Sequence, residues 1–297
     1  MTIPHPPFVI YQWLAESGYL LHALLPGYAQ IEAHVDDSVD AVLDRLPHGP
    51  GTFAFHLNCT RTGRFPQQRA KLIEALEARC VRVLNGSVTD ISKRHVHRAC
   101  TAVGLPTLEA PRHGDPAELL IVKTDLNFGG DSEWALSSQE REALGIGTGS
   151  DIIWTPSHYR VLPRADIDAA WWADDRLVIE RFAANRRHCW YRAYLFLGWM
   201  ALCELENPNE IKKVGDSRVV RTILVRPNDA VPGDRAELAG LVDQLSTVAR
   251  ALTLDVGTVD VVMDDAGRHY VIDVNSTPAY NYPIPGVVDH LRRALPV

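Results

Sequence analysis

The segment that most constrains the fold lies near the C-terminus of the chain. Two runs of residues that are β-branched or alternate between apolar and polar, Val259–Met263 and His269–Asn275, flank the turn-forming residues Asp264–Gly267. Strand-like runs on both sides of a short polar turn predict a β-hairpin. The hairpin then determines which polar side chains share a face of the sheet.

Three side chains with oxygen donors fall on one face of this hairpin. Asp273 and Asn275 point the same way because side chains alternate along a strand. A two-residue turn at 266–267 would set Asp260 directly opposite Asp273, and a four-residue loop over 264–267 would set it on the diagonal of the same face. Two carboxylates and an amide oxygen suit a hard cation such as Mg²⁺, usually alongside substrate phosphates. The alternative is the exposed polar face of an ordinary hairpin.

Length and composition limit the class of protein. A chain of 297 residues allows two domains, or one large domain with a lid. Hydrophobic residues make up 46% and charged residues 23%, which is typical of a soluble globular protein. The formal net charge of −7 disfavours a general nucleic-acid binder, but it is compatible with a small basic pocket for a nucleotide.

The cysteines and apolar runs indicate a cytoplasmic protein without a membrane anchor. The five cysteines are scattered and contain no C-x-x-C pair, as expected of reduced thiols rather than a disulfide framework or zinc site. Residues 1–8 contain three prolines and no basic cluster, which argues against a signal peptide. The longest nearly apolar run, Ala193–Cys203, has 11 residues and is too short to span a bilayer.

The pattern along the chain predicts an α/β protein. Strands are predicted at 52–57, 81–84, 119–123, 177–180 and 191–203, and helices at 66–79, 90–103 and 234–252. The strand–helix–strand order of residues 52–84 predicts a parallel crossover. Asn85–Ser87 breaks the pattern, so we predict an N-terminal α/β domain over 1–88 and a second domain over 89–297.

Several charged residues that precede the hairpin lie at the ends of predicted strands or near the start of a predicted helix. Lys93 lies early in a helix, and Lys123 ends a strand that leads into the pair Gly129-Gly130. Glu180 ends another strand, and Arg192 begins a third. Two lysines, an arginine and the backbone N–H groups of a glycine loop suit a triphosphate, and the hairpin carboxylates suit its metal.

In this order the motifs resemble those of the ATP-grasp family, particularly the branch of glutathione synthetase, D-alanine–D-alanine ligase and the ribosomal-protein glutamate ligases. The resemblance covers roughly residues 84–278. It implies an ATP-grasp fold with a small N-terminal α/β domain, a lid subdomain over about 105–180 and a C-terminal antiparallel sheet.

The resemblance also implies roles on the triphosphate. Lys93 and Lys123 correspond to the lysines that contact ATP phosphates, and Gly129 and Gly130 to the loop that covers them. Arg192 corresponds to the strand arginine on the phosphates. The resemblance implies that Arg192 and Lys123 are the catalytic residues.

Adenine and metal contacts are implied in the same way. The segment Glu180, Arg181 and Phe182 corresponds to the hinge that holds adenine, through the Glu180 side chain and nearby backbone. The hairpin oxygens correspond to ligands of Mg²⁺, with Mn²⁺ as an alternative ion. These ligands are Asp260, Asp273 and Asn275.

Some residues depart from the family pattern. Pro278 is followed by Ala279, where many members have glycine. Trp190 stands where many members carry an acidic residue that contacts ribose, so that contact is in doubt. Asp131 and Glu133 in the loop have no clear counterpart in the family, and the sequence is compatible with solvent-exposed side chains at both positions.

Structural alternatives compete with these roles. A solvated helix face is the alternative for Lys93, and a surface salt bridge to Arg181 or Arg186 is the alternative for Glu180. The histidines show no metal-ligand spacing, so none of them receives a role.

The substrate contacts are predicted less directly. Arg61 and Arg64 follow a predicted parallel strand, where open α/β sheets bind ligands. Lys213 and Arg218 lie in a basic stretch that carries a substrate or phosphate contact in related ligases, and a solvated loop is the alternative. Tyr280, just past Pro278, either narrows the acceptor pocket or packs the turn.

The function that the resemblance implies is ATP-dependent ligation of a carboxylate to an amine through an acylphosphate. The expected partners are a small-molecule carboxylate and an amine, such as amino acids or peptide-like molecules, with no nucleic acid and no membrane. A homodimer is compatible with the sequence. A small-molecule kinase on the same scaffold and a nucleotide-binding module without turnover are the alternatives.

Overall fold

A computed structural model of the protein describes residues 8–13, 17–34, 36–47, 51–63, 65–66, 68–144, 158–212, 215–229, 231, 233–281 and 283–295. The strands are β1 Phe8–Gln12, β2 Ala29–Glu32, β3 Thr52–His56, β4 Arg82–Leu84, β5 Leu119–Thr124, β6 Arg160–Pro163, β7 Leu177–Arg181, β8 Cys189–Phe196, β9 Trp199–Glu206, β10 Arg218–Val225, β11 Val256–Met263 and β12 His269–Asn275. The α-helices are α1 Leu20–Leu24, α2 Val39–Asp44, α3 Arg69–Ala78, α4 Lys93–Ala102, α5 Asp131–Trp134, α6 Ser138–Ala143, α7 Ala239–Ala251 and α8 Val287–Arg292.

The strands form three sheets, and this mixed architecture confirms the predicted α/β class. A parallel sheet has the order β2-β1-β3-β4. A three-stranded antiparallel sheet has the order β6-β5-β7. A five-stranded antiparallel sheet has the order β10-β9-β8-β11-β12. Every described helix is too short or too polar to traverse a bilayer.

The parallel sheet contains the predicted crossover. Strand β3 pairs in parallel with β4, and helix α3 connects them. Every residue of β3 is buried, as is typical of parallel strands that are covered on both faces. Leu72 and Leu76 of α3 are buried in the core on this sheet.

The single strand predicted over 191–203 is wrong, because the chain reverses at Leu197-Gly198. Strands β8 and β9 form a hairpin in which Phe196 pairs with Trp199. Both turn residues have positive φ, 51° for Leu197 and 83° for Gly198, as tight hairpin turns require. The apolar run hides this reversal because leucine is an unusual turn former.

The C-terminal hairpin is confirmed. Its turn is neither the two-residue turn nor the four-residue loop that the sequence suggested. Met263 pairs with His269, and the register shifts by one residue between Asp260 and Val261. This bulge brings Asp260 directly opposite Asp273. The predicted opposition of the two carboxylates therefore arises from a bulge instead of a two-residue turn.

The five-stranded sheet has a covered face and a partly open face. Ala193 of β8 and Val259 of β11 lie in a core with residues of α4 and α7, such as Val96 and Leu245. Because side chains alternate, Arg192 and the neighbouring Asp260 lie on the opposite face. That face carries the candidate site.

Candidate functional site

A row of charged residues crosses the open face of the five-stranded sheet. The strand register places Arg192 of β8 beside Asp260 of β11, and Asp260 beside Asp273 of β12. Arg192 donates two hydrogen bonds to the Asp260 carboxylate, from Nε to Oδ1 over 2.7 Å and from Nη2 to Oδ2 over 3.0 Å. Such a bidentate, charge-assisted pair fixes the orientation of both side chains.

Arg192 is held in its charged form by its surroundings. Burial alone would lower its pKa, but the charge of Asp260 and hydrogen bonds to Asp260 and Tyr194 raise the pKa above its ordinary value. Its guanidinium also lies over the Trp190 ring, 5.1 Å from the centroid. Trp190, which replaces the acidic ribose-contacting residue of many family members, thus packs against Arg192.

The hairpin oxygens fit a magnesium ion that also binds phosphate. Asp260 and Asp273 are both buried, and Asn275 lies two residues further along the same face. Within the described residues, no group of three or more His, Cys, Asp or Glu side chains forms a metal site. Two carboxylates and an amide are enough for Mg²⁺ when phosphate oxygens complete the coordination.

A buried ion pair lies on the three-stranded sheet. Leu120 and Val122 of β5 point into the core, so Lys123 points to the other face, where it forms an ion pair with Glu180 of β7. His97 Nε2 lies 3.0 Å from the second carboxylate oxygen of Glu180. Glu180 therefore contacts Lys123 and His97, where the resemblance implied a contact with adenine.

The charge of Glu180 is stabilised in spite of its burial. Burial raises the pKa of a carboxyl group, but the Lys123 charge and the His97 hydrogen bond outweigh it and lower the pKa of Glu180 to about 2. Glu180 is buried, so it does not form the surface salt bridge given as the alternative. Arg181 instead lies near Glu118.

Lys93 is tied to the start of the glycine loop. It is buried, which excludes the solvated helix face, and its Nζ donates to the Leu126 carbonyl over 3.0 Å. Helix α4 begins at Lys93, and Asp125 Oδ1 accepts the Arg94 backbone N–H over 2.9 Å. Asp125 thereby caps the helix and fixes its position next to the loop.

The glycine loop has an unusual backbone. Phe128, Gly129 and Gly130 have consecutive positive φ values of 47°, 73° and 83°. A Cβ on Gly130 would also lie 3.0 Å from the Leu126 side chain, so glycine suits this position on both counts. Asn127 Nδ2 donates to the Val274 carbonyl over 2.8 Å, which ties the loop to β12.

A cavity with an empty volume of about 680 Å³ lies between the two antiparallel sheets. Leu108, Ile121, Val262 and Ile272 provide apolar walls. The charged lining residues include Lys93, Lys123, Glu180 and Asp273. An apolar slot with lysines and a carboxylate along its wall could hold a base and its phosphates. We call it the nucleotide cavity.

The predicted hinge lines this cavity, but the backbone N–H groups of Arg181 and Phe182 already have carbonyl partners. The backbone N–H of Arg181 donates to the Leu108 carbonyl over 2.7 Å, and that of Phe182 to the Leu119 carbonyl over 2.9 Å. These two bonds tie the hinge to Leu108 and to the start of strand β5.

A larger groove, with an empty volume of about 1420 Å³, lies beside the nucleotide cavity. Phe128, Arg192, Tyr194 and Tyr280 are among its lining residues. The Tyr280 hydroxyl donates to the Ile284 carbonyl over 3.2 Å, and its ring meets Tyr194 edge-on at 5.6 Å. Tyr280 thus packs the turn and also forms part of the groove wall.

Comparison with known proteins identifies the architecture. No protein-family profile and no curated protein matches the sequence. The chain aligns with the ATP-grasp ligase PsnB complexed with a minimal precursor, at 12% identity and a TM-score of 0.51, over 98% of this chain and 100% of that one. It aligns with PsnB complexed with precursor peptide PsnA2 and AMPPNP at 14% identity and a TM-score of 0.50, over 97% of each chain. It aligns with PsnB complexed with a phosphomimetic precursor variant, Mg and ADP at 12% identity and a TM-score of 0.50, over 97% of each chain.

The chain has an ATP-grasp fold. This fold was predicted from the order of the motifs, and the structural match extends it over nearly the whole chain. At 12–14% identity these comparisons show the fold alone. The roles of individual residues therefore rest on their geometry.

Some predicted substrate residues lie away from the two cavities of the ATP-grasp fold. Arg61 pairs with Asp125 and does not line either cavity. Arg218 forms an ion pair with Glu206. Strand register places Glu206 beside Cys189, on the face of the sheet opposite to Arg192. The structure thus does not bring these two side chains to either cavity, and their substrate roles stay predictions. The other two predicted substrate residues, Arg64 and Lys213, lie outside the described residues.

Several residues that organise the candidate site were not predicted from the sequence. His97 and Asp125 acquire their partners only through contacts between distant segments. One signal for His97 was available, because it follows Lys93 by four residues and therefore shares its helix face. Phe128 lines both cavities, but in the sequence only the two glycines after it indicate a loop, and a lone phenylalanine gives no sign of this position.

Proposed function

We propose that this chain is an ATP-dependent carboxylate–amine ligase that forms an amide or peptide bond through an acylphosphate and releases ADP and phosphate. One observation carries the proposal. In the row of charged residues, Asp273 lines the nucleotide cavity, Arg192 lines the groove, and Asp260 lies between them. A phosphoryl group passing from a nucleotide in the cavity to an acceptor in the groove would cross this row.

The nucleotide is proposed to lie with its base between the apolar walls and its phosphates near Lys93 and Lys123. The solved PsnB structures that this chain resembles hold ADP with Mg in one case and AMPPNP in another, which supports nucleotide use. Asp260, Asp273 and Asn275 would hold the metal, which supplies positive charge to the phosphate oxygens when bound.

In the first step, a substrate carboxylate oxygen attacks the γ-phosphorus, the bond to the bridging oxygen breaks, and ADP leaves. The task of the protein is to hold these atoms in line and to stabilise the developing charge. Asp260 accepts from two of the Arg192 N–H donors and Tyr194 from another, and the Arg192 side chain is still 29% exposed. Its remaining N–H groups are therefore proposed to bind the substrate carboxylate.

In the second step, the amine nitrogen attacks the carbonyl carbon of the acylphosphate. The bond between that carbon and the phosphate oxygen breaks, phosphate leaves, and the nitrogen loses a proton. The acylphosphate must be protected from water during this step. Phe128 lines both the nucleotide cavity and the groove, so it is proposed to cover the intermediate.

Amino acids or peptide-like molecules are the proposed substrates. PsnB was solved with precursor peptides, which supports a peptide-like carboxylate or amine. The large groove beside Arg192 offers enough room for such a molecule.

The test is to incubate the purified chain with ATP, Mg²⁺ and pools of amino acids and other metabolites, and to measure ADP release and product mass together. Hydroxylamine is added in parallel, because a ligase should convert its acylphosphate to a hydroxamate. Phosphorus NMR should detect free phosphate. Phosphate retained on a product would instead indicate a kinase, and ATP binding without ADP formation would indicate a module without turnover.

A further inference from the structure

A third cavity lies on the other side of the glycine loop. It has an empty volume of about 600 Å³ and polar walls from three parts of the chain. Residues 58–60 follow strand β3, residues 127–133 include the loop and helix α5, and Asn275 and Thr277 end strand β12 and the turn beyond it. It is therefore bounded by the parallel sheet, the loop and the proposed metal ligand Asn275.

The charged lining of this cavity is acidic. Asp131 and Glu133 line it, and its described lining residues include no lysine, arginine or histidine. The nucleotide cavity, in contrast, contains Lys93 and Lys123, and the groove contains Arg192. The third cavity should therefore attract an ammonium group and repel a carboxylate or phosphate.

Glu133 is the residue that points to a ligand. It is only 2% exposed, which overturns the interpretation of a solvated loop residue. Its Oε1 accepts the Thr60 backbone N–H over 2.6 Å, whereas its Oε2 is buried without a hydrogen-bond partner among the described residues. A buried carboxylate oxygen that lacks a donor is costly, so a cationic donor bound there would be strongly favoured.

The neutral wall of the cavity is fixed by a chain of hydrogen bonds. Thr277 Oγ1 donates to Asn58 Oδ1 over 2.9 Å, and Asn58 Nδ2 donates to the Tyr19 hydroxyl over 2.9 Å. The Thr277 backbone N–H also donates to Asn275 Oδ1 over 2.8 Å. A molecule in the cavity would thus lie beside the metal-facing end of β12.

We infer that this cavity is the subsite for the amine substrate, and that Glu133 binds its ammonium group while the carboxylate substrate occupies the groove beside Arg192. Before attack, the ammonium gives one proton to the Glu133 carboxylate, and the neutral amine that results attacks the acylphosphate carbon. Phe128 lines all three cavities, so the two substrates would meet at this residue. The identity of the ligand as the attacking amine rests on the proposed ligase function. Recognition of a primary ammonium by Glu133 does not depend on turnover.

Two small probes that differ in one group test the inference directly on the full chain. Glycinamide carries a primary ammonium at neutral pH, and propionamide has a methyl group in its place. Affinities measured by NMR titration should favour glycinamide by about tenfold or more, the usual effect of a hydrogen bond to a charged group. Equal affinity of the wild-type protein for the two probes would overturn the subsite.

Variants assign the preference to one residue. Glu133→Gln should remove most of the preference for glycinamide, because it removes the charge but keeps an oxygen for the Thr60 N–H. Glu142→Gln removes a charge from an exposed position of the nearby helix α6, and it should leave the preference intact. A folded Glu133→Gln protein with unchanged glycinamide affinity would also overturn the subsite. If that variant does not fold, the wild-type comparison of the two probes decides.

The subsite and the ligase reaction can fail separately. Hydroxylamine is an uncharged nucleophile, so hydroxamate formation does not require ammonium recognition. Selective glycinamide binding without any hydroxamate would support the subsite and contradict the ligase. Hydroxamate formation without selectivity between the two probes would support the ligase and contradict the subsite.

Discussion

Arg192 and Asp260 face each other on neighbouring strands and share two hydrogen bonds of 2.7 and 3.0 Å. Asp260 is buried, whereas the Arg192 side chain retains some exposure on the groove side of the sheet. The carboxylate therefore has two neighbours of different kinds, the arginine on β8 and Asp273 on β12. This geometry links the anchoring of the arginine to the proposed metal ligands.

Replacement of Arg192 by lysine should impair turnover much more than folding. Lysine keeps the charge but cannot form the bidentate pair with Asp260. We expect ADP release to fall by about a hundredfold or more, as for other losses of fixed charge stabilisation in a transition state. The free energy of unfolding should fall by about 1–3 kcal/mol, because Asp260 loses a donor. Enzyme assays and urea denaturation measure the two effects.

Arg186→Lys is the matched control for this substitution. Arg186 pairs with Asp265 at the surface, and its side chain is 87% exposed. Its replacement should leave both ADP release and stability close to those of the wild type, since exposed pairs contribute little. Similar turnover of Arg192→Lys and Arg186→Lys would refute the role given to Arg192.

Replacement of Asp273 by asparagine should weaken metal binding. The substitution removes one of the two carboxylates from the proposed ligands but keeps the shape of the side chain. The Mg²⁺ concentration for half-maximal ADP release should rise by about tenfold or more, and the unfolding temperature should change little. Asp265→Asn, in the loop of the same hairpin, should leave the Mg²⁺ dependence unchanged. An unaltered Mg²⁺ titration in Asp273→Asn would remove this residue from the metal site.

Features with a local signal could be predicted from the sequence. The C-terminal hairpin is specified by alternation and turn formers, and Lys123 is placed by a strand that runs into two glycines. The facing carboxylates were predicted as well, but the bulge at Ile272 that brings them opposite each other was not. A bulge depends on how the strand packs within the whole sheet, and a single strand carries no clear sign of it.

Features that depend on contacts between distant segments could not be predicted. Glu180 finds its buried partners on helix α4 and strand β5, and nothing around residue 180 indicates which cation it meets. Glu133 resembles a solvated loop residue in sequence, but the fold buries it against the Thr60 backbone. Charged residues of this kind have no periodic pattern, because their partners are fixed only once the sheets assemble.

The buried pair of Glu180 and Lys123 should make stability depend on acid pH. The pKa of Glu180 is lowered from 4.5 to about 2, because the Lys123 charge and the His97 hydrogen bond outweigh its burial. A lowered carboxyl pKa stabilises the fold above pH 4.5, and this contribution is lost as the pH falls towards about 2. Within that window the free energy of unfolding should fall by about 1.4 kcal/mol per pH unit from this group.

Glu180→Gln isolates the effect of this carboxylate. The variant leaves Lys123 buried without its counter-charge, so it should be less stable than the wild type by about 3 kcal/mol at neutral pH. Urea denaturation should show this difference shrinking as the pH falls below 4.5, since the wild type then loses the same interaction. Parallel pH profiles for the two proteins would mean that Glu180 is not the group responsible.

Replacement of Phe128 by alanine should uncouple ATP use from ligation. Phe128 is 55% exposed, and it lines the nucleotide cavity, the groove and the third cavity. Loss of its ring would admit water to the proposed acylphosphate, so the ratio of ADP to amide product should rise severalfold while ADP release continues. Stability should change little, because alanine experiences the same left-handed backbone at φ 47°. Val220→Ala, which trims an exposed apolar residue on β10, should keep the wild-type ratio. A Phe128→Ala enzyme that still makes one amide for each ADP would show that another part of the protein protects the intermediate.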